Sequence, residues 1–365
     1  MEEKMAHKKL FIPGPTEVLP DILEAMAMPM IGHRSKDYAA LQAELVPKVQ
    51  KCLYTKNNII LSTSSSTGLM EGAVRNFANK KVLTCMCGAF SDRWAKIARA
   101  NGKEVIELKV DWGKGIHPEM VDKALKEHQG EVDLLLLVYN ETSTGLMNPL
   151  KEIKEVVDKY PDVLMAVDAV SAMMAAPIYV DELGIDFILA GVQKAWSLPP
   201  GLAIGAISEK AIERAKTVEN RGYYFDFLEY VKRDIEKHQT PCTPVLSIIN
   251  ALNVMCDRIL DKEGLDNRWA RHERQAKMVR DWALDRGFEI FPEKGYWSVA
   301  LTCIKNTRGI NVAELNSELG KRNKTISNGY GKMKEETFRI SHMGDIYEKD
   351  IEELLADIDD ILGLA

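Results

Sequence analysis

The chain has 365 residues, of which 46% are hydrophobic, and its formal net charge at pH 7 is −6. This length suffices for a large buried core, while the acidic balance gives no positive field for nucleic acid or an anionic membrane. The longest apolar runs, such as residues 134–139, are too short to span a bilayer, and the first residues lack the apolar stretch of a secretory signal, so we expect a cytoplasmic location.

Short apolar runs alternate with helical patterns through most of the chain. Strands are predicted at residues 58–62, 82–86, 105–110, 134–139, 163–167, 187–191 and 203–207. Helices are predicted between them at residues 68–77, 92–100, 118–128 and 150–159. This order predicts an α/β fold with a mostly parallel sheet and helices on both faces. Sheets of this kind bind ligands outside the carboxyl ends of their strands.

The pattern becomes more helical from about Val245. An apolar helix and a long charged helix come first, then predicted strands at residues 296–302 and 337–341, then a last amphipathic helix to Leu362. This change predicts a second, smaller α+β lobe. We place the domain boundary near residue 260.

Lys194 follows the buried strand at 187–191, and Asp168 ends another apolar strand. An ammonium group at such a position needs a partner or a lowered pKa, because burial disfavours its charged form. A lysine of this kind can form a Schiff base with an aldehyde cofactor. A pyridoxal 5′-phosphate (PLP) site requires a lysine that binds the aldehyde and a carboxylate that pairs with the pyridine nitrogen. Taken alone, Lys194 could also be a solvated loop residue.

A second group of polar residues lies between a strand and a helix, at Ser65, Ser66 and Thr67. Hydroxyls and free N–H groups at a helix N-terminus suit a phosphate, although an ordinary N-cap has the same composition. Phe90 directly follows a strand, where its ring could stack on a planar heterocycle or anchor the next helix.

Two further candidates follow later strands. Thr142 and Ser143 come after the strand at 134–139, where they could contact a ligand or form only a turn. Arg339 is a lone guanidinium in an apolar strand, which could bind a carboxylate in a bidentate fork or face outward. Six cysteines and seven histidines complete no metal-ligand spacing, so no metal is predicted.

The order of the motifs along the chain is more specific than any one of them. The motifs are PGPTEV, MIGHRSKDY, SSSTGLMEGA, GAFSDR, ETSTG, VDAVSA, GVQKAWSLPPG, TPCTP and FRISHMG, between residues 13 and 344. By this set the chain resembles the class V, fold type I aminotransferases, especially the alanine–glyoxylate and serine–pyruvate aminotransferase group. The resemblance implies a large domain (21–260) with a mostly parallel seven-stranded sheet, and a smaller C-terminal domain (261–365).

The resemblance also implies roles for the residues around a PLP cofactor. Lys194 would bind the aldehyde of PLP, Asp168 would pair with its pyridine nitrogen, Val170 would pack beneath the ring, and Phe90 would stack above it. Ser143 would lie near the ring O3′. The residues that resemble phosphate ligands are Ser65, Ser66, Thr67 and Gln193.

The remaining implied roles concern the substrate and a second subunit. Arg339 matches the arginine that binds the substrate α-carboxylate, and Gly14 lies in an N-terminal segment (1–20) that lines the pocket. Thr240 and Thr243 would reach the phosphate of the other subunit's cofactor, which implies a homodimer. The implied reaction is ping-pong transfer of an amino group from alanine or serine to glyoxylate or pyruvate.

Several alternatives stay open at this point. An aspartate-using or ureidoglycine-using relative is the second interpretation of the substrate, because His33 and Arg34 could add positive charge to the pocket. Arg34 could equally make a structural contact at a dimer interface. A cysteine desulfurase shares the scaffold but needs a mobile cysteine, and residues 305–338 contain none. A non-enzymatic binding protein would not be expected to retain Lys194, Asp168 and Arg339 together.

Overall fold

A computed structural model describes residues 7–364 of the chain. Its strands are β1 (Lys9–Phe11), β2 (Asn58–Ser62), β3 (Lys81–Met86), β4 (Val105–Lys109), β5 (Val132–Val138), β6 (Asn140–Glu141), β7 (Leu146–Met147), β8 (Leu164–Asp168), β9 (Phe187–Gly191), β10 (Ala203–Ile207), β11 (Glu289–Ile290), β12 (Leu301–Lys305), β13 (Lys324–Asn328) and β14 (Thr337–Ser341).

The helices connect these strands. They are α1 (Pro20–Met26), α2 (Lys36–Cys52), α3 (Ser66–Phe77), α4 (Ala89–Ala100), α5 (Pro118–Glu127), α6 (Leu150–Val157), α7 (Val180–Leu183), α8 (Glu209–Thr217), α9 (Phe227–Lys237), α10 (Leu246–Asp257), α11 (Leu265–Asp285), α12 (Val312–Lys321) and α13 (Glu348–Leu362). A π-helical segment at Arg258–Glu263 joins α10 to α11, and a 3₁₀ turn lies at Gly331–Met333. In the described part of the chain, every helix is too short or too polar to span a lipid bilayer.

The larger sheet has seven strands in the order β2-β10-β9-β8-β5-β3-β4. Its strands are parallel except β10, which runs antiparallel to both β2 and β9. Alternate residues of β5 enter different hydrophobic clusters, Leu135 and Leu137 one and Leu134 and Leu136 the other. The sheet is therefore covered on both faces, as its continuous apolar strands require, and the predicted α/β fold is confirmed.

A second sheet has the order β1-β13-β14-β12-β11. It packs with α11, α12 and α13 around a third hydrophobic cluster that includes Phe11, Phe288 and Phe338. The strand β1 pairs in parallel with β13, from Lys9 with Lys324 to Phe11 with Ile326, so the N-terminal segment belongs to this sheet. The predicted domain boundaries stay predictions.

One predicted strand is wrong in its position. The strand expected at residues 296–302 begins only at Leu301, because the preceding backbone has other partners. Trp297 forms an isolated bridge with Leu146, and the N–H of Ser298 donates to the carbonyl of Gly145 at 2.9 Å. This stretch therefore lies against the β6–β7 hairpin of the other lobe, and only the residues after it join the second sheet.

Candidate active site

A cavity of about 180 Å³ lies at the carboxyl ends of the large sheet's strands, the position that this topology favours for ligands. Its lining residues are Ser65, Ser66, Thr67, Met70, Phe90, Arg93, Asn140, Thr142, Asp168, Val170, Gln193 and Lys194. The structure thus brings together eight of the residues to which the resemblance assigned cofactor roles, and with them Thr142, the candidate ligand contact. Ser143, Thr240, Thr243, Arg339 and Gly14 lie outside this lining.

Lys194 lies three residues beyond the end of β9, and its Nζ donates a hydrogen bond to the carbonyl of Pro13. Burial lowers the pKa of Lys194 to about 8, and the positive charges of Arg339 and Arg93 act in the same direction, while Asp168 opposes them. A sizeable fraction of the amine is therefore neutral near pH 8. A neutral amine is the form that attacks an aldehyde.

The N-terminal segment covers Lys194 closely. Gly14 has a φ of +101°, and a Cβ there would lie 2.7 Å from Cδ of Lys194. The Thr16 hydroxyl donates to the carbonyl of Lys194 at 2.8 Å. Gly14 and Thr16 therefore pack directly against Lys194 without lining the cavity, whereas residues 1–6 of the predicted 1–20 segment lie outside the described residues.

Asp168 is the last residue of β8 and is buried at the bottom of the cavity. Burial raises the pKa of its carboxyl to about 7. The hydrogen bond that the Val170 N–H donates to this carboxyl at 2.9 Å lowers the pKa, whereas the negative charge of nearby Glu141 raises it further. A cationic group placed against this carboxyl would favour its ionised form. A protonated pyridine nitrogen is such a group.

The three hydroxyl residues Ser65, Ser66 and Thr67 begin α3. Ser65 is the N-cap, but its side chain makes no capping hydrogen bond, so its hydroxyl is not used by the helix. The first N–H groups of a helix have no partner within the helix and carry its positive dipole end. This end of the cavity can therefore hold a phosphate.

Phe90 and Arg93 form one wall of the cavity. The guanidinium of Arg93 lies 4.8 Å from the centroid of the Phe90 ring, and its Nη1 is 3.4 Å from the Thr67 hydroxyl. Arg93 was not predicted as a site residue, because the helix was predicted to begin only at residue 92. Since α4 begins at Ala89, Phe90 and Arg93 are three residues apart on one helical face, and that spacing was the available signal.

Asn140 was also not predicted, although it is the polar residue that follows the apolar run at residues 134–139. Its side chain is buried and lines the cavity, and neither its amide nitrogen nor its amide oxygen has a hydrogen-bond partner among the described residues. An unpaired buried amide is costly. A ligand with polar ring substituents would satisfy it, so the residues present fit PLP.

Ser143 does not face the cavity directly. Its hydroxyl donates to the carboxylate of Glu141 at 2.6 Å and accepts from the Ala89 N–H at 3.0 Å. The neighbouring Thr142 lines the cavity instead, with its hydroxyl 2.6 Å from that of Ser171. The implied contact of Ser143 with a bound ring stays a prediction.

Arg339 lies in β14 with only 7% of its surface exposed. Its guanidinium donates to the carbonyls of Asn328 (3.0 Å) and Thr142 (3.2 Å). No carboxylate of the described chain lies within ion-pair distance of it, and burial lowers its pKa. A buried cation without an anionic partner is stabilised by an incoming carboxylate.

The TPCTP loop and Arg34 lie together outside the cavity. Thr240 is buried and donates to the carbonyl of Cys242 at 2.7 Å, whereas Thr243 is exposed. Arg34 donates to the carbonyls of Thr240 (2.6 Å) and Pro241 (2.9 Å). Arg34 therefore makes structural contacts within the chain, and its predicted contact at a dimer interface stays a prediction. Among residues 7–364, no group of His, Cys, Asp or Glu could hold a metal ion.

Comparison with known proteins identifies a family. A family model described as "Aminotransferase class-V" matches residues 17–330. An uncharacterized aminotransferase of Methanocaldococcus jannaschii is 41% identical over 96% of this chain and 91% of its own length. An L-aspartate–glyoxylate aminotransferase of Paracoccus denitrificans is 32% identical, over 92% and 86%. The crystal structure of an alanine–glyoxylate aminotransferase from Nostoc sp. superposes with a TM-score of 0.92, covering 99% of this chain and 97% of that one at 26% identity.

Proposed function

The chain belongs to the class V aminotransferases, and on this premise we propose that it is a PLP-dependent enzyme that transfers the amino group of alanine or serine to glyoxylate or pyruvate. The observation that carries the proposal is the cavity itself. It combines a partly neutral lysine, a buried carboxyl, an unpaired amide and the N-terminus of α3. These are the groups that an aldehyde, a pyridine nitrogen, a ring oxygen and a phosphate require.

The residues of this chain have separable tasks in that reaction. PLP, when bound, supplies an aldehyde for the amino group and a ring that takes up electrons from the substrate Cα. Lys194 holds the cofactor and, once an amino acid has displaced it, its Nζ takes the proton from Cα. Asp168 holds a proton on the pyridine nitrogen, and Arg339 orients the substrate through its α-carboxylate.

The ping-pong order follows from the single site. A donor amino acid leaves as its 2-oxo acid before the acceptor enters, since both carboxylates need Arg339. Serine and alanine as donors, with glyoxylate or pyruvate as acceptors, are supported by relatives named serine–glyoxylate aminotransferase and by the similar structure of an alanine–glyoxylate aminotransferase.

The direct test is the uptake of PLP followed by a panel of donors and acceptors. Purified protein should bind PLP and turn yellow, and borohydride should fix the cofactor to Lys194. Lys194→Ala should fold but lose this fixation, which a mass measurement of the peptide containing residue 194 would establish. Wild-type protein that takes up no PLP would contradict the proposal.

A second candidate donor is aspartate, because one relative is named L-aspartate–glyoxylate aminotransferase. Ureidoglycine is a further candidate donor on the same fold. Arg34 was the cation considered for a second carboxylate, but its guanidinium is used by backbone carbonyls of the TPCTP loop. We therefore favour alanine or serine. A wild-type preference for aspartate that disappears in Arg34→Ala would reverse this order.

We also propose that the protein is a homodimer. Large apolar side chains are exposed on two stretches: Met28 (49%) and Met30 (64%), and Tyr223 (85%) and Ile235 (65%). Arg34 links the neighbourhoods of these stretches through the TPCTP loop. Exposed apolar side chains of this size are typical of an interface. Thr240 and Thr243 follow α9, the helix that carries Ile235, by a few residues, which supports their proposed contacts with the other subunit's cofactor.

A further inference from the structure

Arg268 is the most completely buried cation of the described chain, with no exposed surface. It lies in the first turn of α11, far in sequence from the cavity residues. Its guanidinium donates to three groups: Ala195 O at 2.6 Å, a Glu263 carboxylate oxygen at 2.7 Å and an Asp345 carboxylate oxygen at 3.0 Å. Both terminal nitrogens of this guanidinium are paired, whereas its Nε has no hydrogen-bond partner among the described residues; a buried cation depends on such partners for its stability. These bonds join three separate parts of the chain.

One of these parts is the loop that carries Lys194. Ala195 is the next residue, so Arg268 holds the peptide carbonyl adjacent to the reactive lysine. The carbonyl of Lys194 itself accepts from the Thr16 hydroxyl at 2.8 Å and from the Ser197 N–H at 2.9 Å. Two consecutive carbonyls are thus fixed from outside the loop. The backbone position of Lys194 depends on these bonds.

The second part is the segment that follows Arg339. Asp345 lies four residues beyond the end of β14, and the N–H of Gly344 donates to His272 Nε2 at 3.0 Å. His272 in turn donates through Nδ1 to the carbonyl of Arg268 at 2.7 Å, which requires a neutral ring with its proton on Nδ1. Arg271 donates to the Gly344 carbonyl at 2.8 Å.

Arg268, Arg271 and His272 occupy positions i, i+3 and i+4 of α11, so their side chains lie on one helical face. The two segments that they hold also contact each other directly, because a Cβ at Gly344 would lie 2.5 Å from the Ser197 hydroxyl. The face of α11 therefore links the loop of Lys194 to the strand of Arg339.

We propose that Arg268 is a positioning residue, which sets the distance between the amine of Lys194 and the carboxylate-binding guanidinium of Arg339. The inference rests on the proposed function, in which Arg339 orients the substrate while Lys194 moves its Cα proton. Proton transfer is sensitive to displacements of about 1 Å, which can change a rate about a hundredfold. Arg268 touches neither substrate nor cofactor and acts through Ala195 and Asp345.

The test is Arg268→Lys, which keeps the charge and loses the fork that reaches three partners. Its matched control is Arg274→Lys on the same helix, where the arginine is exposed and pairs only with Glu348. The first measurement is amide hydrogen exchange at Ser197 and Leu198, in protein with and without PLP. We expect exchange there to be about tenfold faster in Arg268→Lys, with residues 134–138 unchanged, and no change in the control.

The second measurement separates kcat from KM with alanine as donor. A positioning role predicts a kcat lower by about ten- to a hundredfold with KM within about threefold. The proposal is overturned if the amides of Ser197 and Leu198 in Arg268→Lys exchange at the wild-type rate, or if exchange is faster by the same factor throughout the chain. The exchange measurement does not depend on PLP. A wild-type protein that binds no PLP would therefore contradict the proposed function, while hydrogen exchange would still test the positioning role of Arg268.

If Arg268→Lys does not fold, Asp345→Asn provides the same test with a side chain of equal size. It should also speed exchange at Ser197 and Leu198 and lower kcat, about three- to tenfold in each case, because Arg268 then loses one charged partner. A folded Asp345→Asn protein with wild-type exchange and wild-type kcat overturns the proposal.

Discussion

At the scale of single residues, the site contains two ionisable groups whose charged forms are both disfavoured by burial. The carboxyl of Asp168 has a pKa raised to about 7, and the amine of Lys194 has a pKa lowered to about 8. A cavity that disfavours both charges is destabilised near neutral pH. A bound ligand that pairs with both groups removes that cost, so binding should stabilise the fold.

The first prediction concerns the stability of the PLP-free protein. Because the folded-state pKa of Asp168 lies above its unfolded value, the ionised carboxyl costs stability as pH rises from about 4 to 7, and the cost is complete above pH 7. Asp168→Asn cannot ionise. We therefore expect the free energy of unfolding of Asp168→Asn, taken relative to that of wild type, to be higher at pH 8 than at pH 4 by on the order of 2–4 kcal/mol. Urea unfolding of both proteins at both pH values measures this difference.

An equal stability difference at the two pH values would show that Asp168 is not perturbed by burial. The same variant loaded with PLP should lose most transamination, because an unprotonated pyridine accepts electrons poorly. Wild-type turnover of loaded Asp168→Asn would assign the protonation of the ring to another group.

The second prediction concerns Arg339. Removing its guanidinium loses a charge-assisted pair with the substrate in a largely buried site, a loss of about 2–5 kcal/mol. Arg339→Ala should therefore lower kcat/KM by roughly thirtyfold to several thousandfold, and equally for alanine, serine and aspartate, since each presents the same carboxylate. Arg322→Ala, at an exposed ion pair of the second lobe, is the control, and an effect confined to one donor would contradict the role.

At the scale of elements, the segment from β1 to Thr16 gives the third prediction. Gly14→Ala forces a side chain into a positive-φ position, which costs about 1 kcal/mol, and places its Cβ against the Lys194 side chain. We expect kcat/KM with alanine to fall at least about tenfold. Gly295→Ala has a similar φ of +97° but no neighbour within 4 Å, so it should keep its activity.

The elements also show what the sequence predicts and where it fails. The strands at 58–62 and 203–207 and most site residues were predictable, because apolar runs and strand ends are local features. The starts of α3 and α4 were predicted two and three residues late. Residues 62–67 all carry hydroxyls, so several of them could cap α3, and the cap of α4 is Gly88, which has no side chain. The stretch at 296–300 could not be placed, because its partners are in the β6–β7 hairpin.

The site itself divides in the same way. Lys194 and Asp168 follow strands and were predictable, and the resemblance supplied their roles. Asn140 and Arg93 have only weak sequence signals, because their roles depend on an unpaired buried amide and on a cation–aromatic contact that exist only in the folded chain. Arg268 has no signal in the sequence at all, because its role depends on three segments that meet only in the folded chain.

At the scale of the whole molecule, the fourth prediction concerns the homodimer. If the exposed stretch around Ile235 is buried between subunits, a charged substitution there buries two charges in a two-fold symmetric interface, one from each subunit, and weakens the dimer. Ile235→Asp should shift the protein toward monomer in sedimentation velocity at micromolar concentration. Leu284→Asp, at a side chain 48% exposed on α11, is the control and should sediment like wild type; a monomeric wild type would contradict the proposal.

The pairing of β1 with β13 has a consequence for how the protein matures. It joins residues 9–11 to residues 324–326, whereas the last strand of the seven-stranded sheet ends at Ile207. Domains fold as the ribosome releases them, N-terminal parts first, so the large sheet can form well before β13 leaves the exit tunnel. The segment that carries Gly14 has no strand to anchor it until then. We therefore expect Lys194 to remain uncovered on the nascent chain, and the site to close only near the end of translation.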